Sequence, residues 1–477
     1  VAQLGFVVDI YEGAVLVETV NTTMLPAAEY PIQMGDELVS VDGKSAQQLI
    51  AEFSKIRKRG NPLSTARGAA DLITFRPQAF VPRASELGQN AQVVFRKPDG
   101  ELRTLTIPWT KTGLPFTGSG PIRFSNTVKA AKQAESDATL LDPTADLKNW
   151  KADKEDHLFQ GETVTQDGEV LPRRYLTGMG ARTPTFAMPE GFVQRLGRNL
   201  SDFHFSGTFT VDGVRVGFLR VPSFGGGPVL IAELDTEIKY FNENTDVLIV
   251  DVMRNPGGGC YIADLGRRLI PRTFFTFVEE VRVTWDRIQS LDATIRSLQL
   301  FRGDQGVIDG YKSLLAEFQK AFNEGSPRTA GLPICTAFGV NHAPTMDQHP
   351  VEHAYQKPVI VLVDEFSISA ADIFPGMMQD NNAALLVGTR TSGAGGSVSG
   401  WLTGTHSEAL ASNTNTLVVR RGPVVSEGYP TAQYVENVGV KADVQLNIMT
   451  RDNLMNRGKP FMDAVARIAA ERARGQR

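Results

Sequence analysis

Residues 358–380 read PVIVLVDEFSISAADIFPGMMQD. An apolar run stops at Val363, a few polar or turn-prone residues follow, and Ser369 stands where a helix begins. This layout predicts a buried strand, a tight turn and a helix with the serine at its start. A hydroxyl held there is exposed and close to unpaired backbone N–H groups, which makes Ser369 a candidate nucleophile. A serine at a helix start is also an ordinary cap. Ser367 is the better cap candidate, and that leaves Ser369 free.

Moving outward, residues 206–477 alternate strand-like and helix-like stretches. VRVGFLRV (214–221) and DVLIVDVM (246–253) are apolar runs of strand length. Between them Leu230, Leu234, Ile238 and Phe241 fall at helical spacing. Ile308, Tyr311, Leu315, Phe318 and Phe322 line one face of a further helix, with Gly325 as its stop, and a last helix is expected over roughly 459–472. Continuous apolar strands separated by helices predict an α/β core whose mostly parallel sheet is covered on both faces. Residues 1–112 read instead as mostly β. Turn signals stand at Glu12-Gly13, Gly35-Asp36, Asp42-Gly43 and Pro98-Asp99-Gly100, and one helix is expected after an N-cap at Ser45. Residues 113–205 are rich in Lys, Asp, Gly and Pro with weak periodicity, and read as an irregular linker or insert.

In a parallel α/β sheet, sites form at the carboxyl ends of strands. A second unusual loop, Arg254-Asn255-Pro256-Gly257-Gly258-Gly259, directly follows a strand. Three glycines leave backbone N–H groups open to a ligand, and the Ala370 N–H at a helix start gains from the helix dipole. If the two strands are parallel neighbours, the Gly258 and Ala370 amides, with Gly257 as a further candidate, could hold the negative oxygen of a tetrahedral intermediate formed on Ser369. Taken alone, a glycine run after a strand is more often a tight turn or a phosphate loop than an oxyanion hole. It is not a Walker motif, since no Gly-Lys-Ser/Thr follows.

The 477 residues imply two or three domains, and the formal net charge of -4 shows no basic stripe for nucleic acid. The longest apolar runs are far too short to span a bilayer. The sequence opens at Val1 without a visible signal peptide, as expected of a processed or truncated product. The two cysteines, Cys260 and Cys335, give neither a disulfide framework nor metal-ligand spacing and fit either redox compartment. Cys260 reads as a packing residue. Of the six histidines, His204 lies two residues after an acid and reads as a domain-junction residue, while His342, His349 and His353 read as exposed loop positions. No metal or organic cofactor is implied.

The residues quoted above resemble the C-terminal processing (tail-specific) serine peptidases. Asn255-Pro256-Gly257-Gly258 and Ser367-Ile368-Ser369-Ala370-Ala371-Asp372 match the family's strand-end motifs, and Gly388-Thr389-Arg390-Thr391-Ser392-Gly393-Ala394-Gly395 its following turn. The middle serine of the triplet, here Ser369, is the family's nucleophile. Where the Ser-Lys branch has its lysine, this chain has Ala394. Tyr434-Val435-Glu436-Asn437-Val438-Gly439-Val440 looks like a segment of the tricorn-core and chlamydial protease-like branch, whose glutamate serves a Ser-His-Glu triad. That places the role on Glu436. Residues 1–112, with Gly35 to Gly43 as their most recognisable segment, resemble a PDZ-like domain. The resemblance implies a crotonase-like ββα spiral in the core and a serine endopeptidase acting on protein or peptide substrates. It implies a catalytic histidine upstream of Val1, an extracytoplasmic or secreted location, and self-association of no fixed copy number. Two alternatives stay open at this point: a non-catalytic binding module on the same fold, and a Ser-Lys enzyme lacking its lysine at position 394.

Overall fold

The computed structural model describes residues 1–56, 58–76, 83–112, 163–164, 170–171, 179–199, 201–225, 228–341, 343–402 and 410–475. Most of the expected linker or insert at 113–205 therefore lies outside the described residues. Its last part does not read as a linker. Val193–Leu196 is a strand at the edge of the large sheet, hydrogen-bonded to Phe205–Val211, and Met179, Ala181 and Phe186 are buried. Phe192 stacks on Phe205 there (centroids 5.6 Å apart). Short polar stretches hid this edge strand from any periodicity.

The large sheet has seven strands in the order Val193–Leu196, Phe205–Val211, Val214–Arg220, Val247–Asp251, Val359–Val363, Leu385–Gly388 and Val444–Gln445. The sheet is mixed. Its first three strands are antiparallel, and from Val214–Arg220 onward each neighbour is parallel. Five consecutive buried residues in Val247–Asp251, and five in Val359–Val363, follow from helices covering both faces. Alternation along the strands assigns the faces. Leu248, Val250, Val359, Val361 and Val363 pack with Ile238, Phe241, Leu265 and Phe374. Val247, Ile249, Ile360 and Leu362 pack with Phe461 and Val465 of the helix Lys459–Ala473. Each such large side chain contributes about 1.5–3 kcal/mol when buried.

Two features add to the large sheet and its covering helices. A four-stranded sheet joins Leu332–Pro333, Val278–Val281, Thr416–Val424 and Ala432–Tyr434. A pair of helices, Trp285–Leu300 and Gln305–Asn323, is inserted between its first two strands in sequence. The second of these is the helix expected from Ile308 to Phe322.

The N-terminal region is an antiparallel sheet running Phe6–Tyr11, Ala14–Val20, Glu37–Val41, Asn90–Arg96 and Leu102–Pro108. Its hairpin turns where Pro98-Asp99-Gly100 predicted, with Gly100 at φ 90°. The helix Ala46–Phe53 is capped by Ser45, whose hydroxyl accepts from the Gln48 N–H (3.1 Å) while the Gln48 side chain accepts from the Ser45 N–H (2.9 Å). A second helix, Pro62–Thr74, was not expected from periodicity. It carries the contacts that join this region to the site.

Candidate active site

The strands Val247–Asp251 and Val359–Val363 are parallel neighbours, with Asp251 opposite Leu362. Their carboxyl ends bring the two loops together. Ile368 N–H donates to the Asn255 carbonyl (3.0 Å), and a Cβ built on Gly257 would lie 2.6 Å from the Ser369 Cβ. Gly257 has φ 91°, so that position both needs a left-handed backbone and leaves no room for a side chain. The turn is fixed from the other side by the 223–225 segment. Phe224 N–H and the Ser223 hydroxyl donate to the Gly257 carbonyl (2.7 and 3.0 Å), and Gly259 N–H donates to the Phe224 carbonyl (2.9 Å). Gly258 sits at φ 146°, where a Cβ would meet the Phe224 backbone at 2.1 Å.

These bonds sort the amides. Gly257 N–H is taken by the Asn255 side chain (2.8 Å), and Gly259 N–H by Phe224. Among the described residues the Gly258 and Ala370 amides have no acceptor. Gly258 is exposed and Ala370 opens the helix Ala370–Asp380. Ser369 is the residue just before that helix, at φ 59° and ψ -117°. Among the described residues no side chain shares a hydrogen bond with its hydroxyl.

Ser367 is not the helix cap expected from sequence. Its hydroxyl is buried and donates to the Val252 carbonyl (2.9 Å), and it accepts from the Asp364 N–H (3.1 Å), stitching the two strand ends together. The residue that sequence reasoning passed over is Asp372. It is fully buried and accepts from the N–H groups of Ser369 (2.9 Å), Gly393 (2.7 Å) and Ala394 (3.1 Å). Burial pushes its carboxyl up to about 6, although the Thr391 hydroxyl and these amides pull the other way. Its signal in the sequence is its spacing, three residues after the serine, where a helix's first turn can reach back.

Asp372 thus anchors the turn 388–396, and the far side of that turn holds Glu436. Asn437 N–H donates to the Gly393 carbonyl (2.7 Å) and Thr391 N–H to the Val440 carbonyl (3.0 Å). Glu436 is half-buried, its two oxygens shared by the Val418 N–H (3.0 and 3.1 Å). Burial pushes its carboxyl up to about 7 against that bond, and the charge of Asp372 adds to the rise.

The described histidines are engaged elsewhere. His204 is buried, with Nδ1 2.6 Å from Glu233 Oε1 and Nε2 3.3 Å from the Tyr261 hydroxyl. His353 Nε2 lies 2.6 Å from Asp235 and is half-buried, not the exposed loop residue expected. His349 is exposed beside Thr273 (3.1 Å). His157, His342 and His406 lie outside the described residues. Among the described residues no group of three His, Cys, Asp or Glu side chains is placed to hold a metal ion.

The cysteine reading is overturned. Cys260 and Cys335 form a disulfide with Cα atoms 6.1 Å apart. Their 75-residue separation spans the helical pair, so nothing in the linear spacing announced it.

A network of buried charge lies behind the serine loop. Arg67, on the helix Pro62–Thr74, pairs with Asp9 and donates to Glu365 Oε1 (2.7 Å), and its guanidinium lies over the Phe366 ring (4.6 Å to the centroid). Burial raises the Glu365 carboxyl, but Arg67 outweighs it and leaves the group low, while burial and then Glu365 push neighbouring Asp364 up. Asn61 donates to the Thr391 carbonyl (2.6 Å). The N-terminal region is therefore bonded directly to the loop before Ser369 and to the turn 388–396.

Residues 215–444 match the model of peptidase family S41, and residues 1–113 that of a PDZ domain. A protein of Chlamydia trachomatis is 25% identical over 92% of this chain and 75% of its own length. A carboxyl-terminal-processing peptidase 3 of Arabidopsis thaliana is 32% identical over 24% of this chain and 21% of its own. The crystal structure of mature CPAF superposes with a TM-score of 0.68 at 21% identity, covering 99% of this chain and 83% of CPAF, which is a likeness of fold.

Proposed function

We propose that this chain, whose residues 215–444 match peptidase family S41 and whose residues 1–113 match a PDZ domain, is a serine peptidase that cleaves protein or peptide substrates through an acyl-enzyme on Ser369. One observation carries the assignment: the Ser369 step and Gly257, the residue before the open Gly258 amide, meet at the carboxyl ends of two adjacent parallel strands. The Ser369 hydroxyl attacks the scissile carbonyl. The Gly258 and Ala370 N–H groups receive the developing oxyanion, a contribution of about 3–4 kcal/mol per donor in comparable sites. Gly257, with its own N–H engaged, serves by letting the turn approach the serine.

We assign the triad type as Ser-His-Glu, with Glu436 orienting the histidine and stabilising the imidazolium. By its resemblance to the Ser-His-Glu branch, we assign the base to a histidine N-terminal to residue 1; the described His204, His349 and His353 have other partners. Collapse of the acyl-enzyme then needs a water activated by the same imidazole. The core reads as a crotonase-like ββα spiral, which the helices Pro228–Asn244, Tyr261–Leu269 and Ala370–Asp380 between parallel strands support. An extracytoplasmic or secreted location is favoured by the Cys260–Cys335 disulfide. No helix among the described residues is long and apolar enough to cross a membrane. The PDZ domain offers sheet edges to which an extended peptide can add.

A fluorophosphonate probe tests the assignment. It should label Ser369 in a protein extended upstream of residue 1 and label residues 1–477 alone far more slowly. Labelling at another serine would overturn the nucleophile, and equal labelling of both chains would overturn the upstream histidine.

A further inference from the structure

The Asn255–Cys260 turn is held in two directions. On one side are the hydrogen bonds to Ser223, Phe224 and Ile368. On the other side Cys260, next to Gly259, is bonded to Cys335. Cys335 is buried at φ 73° and opens the short helix Thr336–Phe338. That helix is fastened in turn: Ala337 N–H donates to Glu279 Oε1 (2.6 Å), and Ile334 N–H to the Phe277 carbonyl (3.1 Å). Glu279 is buried on the strand Val278–Val281, directly opposite Val418, and the Val418 N–H is the donor to Glu436. The disulfide therefore completes a path from the exposed Gly258 amide to the strand that fixes the acid: Gly259, Cys260, Cys335, Ala337, Glu279, Val418, Glu436.

We propose that the Cys260–Cys335 disulfide positions the oxyanion turn against the Glu436-bearing sheet, so that a dithiol reductant switches the peptidase off without unfolding it. This rests on the Ser369 reading above. Cys260 is the half-buried partner and Cys335 the buried one, so a dithiol's thiolate attacks the Cys260 sulfur. The sulfur–sulfur bond breaks, a mixed disulfide forms at Cys260, and Cys335 leaves as a thiolate that takes up a proton. The reductant's second thiol then attacks its own sulfur in the mixed disulfide. The reductant departs as a cyclic disulfide and Cys260 leaves as the second thiol. Two electrons pass to the protein, and an external oxidant of disulfide type reverses the change. Once freed, the turn keeps the bonds of Gly257 and Gly259 to Ser223 and Phe224, and Gly258 loses its fixed distance to the acid. Loss of alignment at one oxyanion donor lowers kcat and leaves substrate binding largely intact.

The experiment uses the full-length protein, oxidised or treated with dithiothreitol, with the thiol state read by mass spectrometry after alkylation. Reduction should slow fluorophosphonate labelling of Ser369 and lower kcat on a peptide substrate by at least about tenfold. KM should stay within about twofold, circular dichroism should be unchanged, and reoxidation should restore the rate. A Cys260→Ala/Cys335→Ala variant should show the reduced protein's rate and ignore dithiothreitol. Should that variant not fold, the reduction and reoxidation of the unaltered protein still decide. A fully reduced protein that keeps its labelling rate and kcat, with only its melting temperature lowered, overturns the positioning role. An oxidised protein that is not labelled at Ser369 at all overturns the peptidase site itself and this proposal with it.

Discussion

Removing the Asp372 carboxylate would strand three backbone N–H groups at once, those of Ser369, Gly393 and Ala394. Unmet buried donors cost about 1–3 kcal/mol each. Asp372→Ala should therefore destabilise the fold by roughly 3 kcal/mol or more in a denaturant titration and abolish labelling of Ser369. Gly257→Ala meets a different obstacle. The added methyl would crowd Ser369 and require φ 91° of an alanine, so a loss of kcat of about a hundredfold or more is expected from steady-state kinetics. Both glycine and serine could be singled out in the sequence because NPGGG and SISA each follow a strand end and together resemble one family's motifs, although either alone is more often a turn or a cap. Asp372 was not, because an acid in a helix's first turn is commonplace until its partners, 21 and 22 residues on, are known.

At the scale of elements, the strands and covering helices of the core follow from five-residue apolar runs and helical spacing, and so they could be read. The helix Pro62–Thr74 could not. Its buried residues include Ser64, Arg67, Asp71 and Thr74 beside Ala69, Leu72 and Ile73, so polar residues interrupt its apolar face and its periodicity misleads. Its interior is satisfied by charge: Arg67, Asp9 and Glu365 have side chains at most 3% exposed. Breaking such a set from one side leaves uncompensated buried charge, typically at 3–5 kcal/mol. Arg67→Ala is expected to lower stability by roughly that amount, and Arg67→Lys to recover little of it, since a lysine cannot pair both carboxylates while lying flat on Phe366. Chemical denaturation of both variants checks this.

For the whole molecule the balance of buried carboxyls sets the pH response. Asp372 is raised to about 6, and Glu279 and Glu436 to about 7, in each case by burial first. A carboxyl raised on folding favours the folded state fully below its unfolded pKa near 4, and that share is lost as pH climbs through the folded value. Glu233, Asp235 and Asp246, lowered by the net effect of their partners, act in the opposite sense below about pH 4. The melting temperature should therefore fall between about pH 5 and 7.5, and fall less steeply in Glu279→Gln, as calorimetry across that range would record. The join between the two regions was invisible in the sequence for a related reason. It depends on Asn61 and Arg67 meeting residues some 300 positions away.

Ser369 occupies a backbone conformation, φ 59° and ψ -117°, that glycine tolerates and serine resists. The strained residue is the one proposed as the nucleophile. A Ser369→Gly protein should be inert yet tougher than Ser369→Ala by roughly 1 kcal/mol, as their unfolding midpoints would reveal. The proposed nucleophile is, in that sense, a standing concession of durability to chemistry.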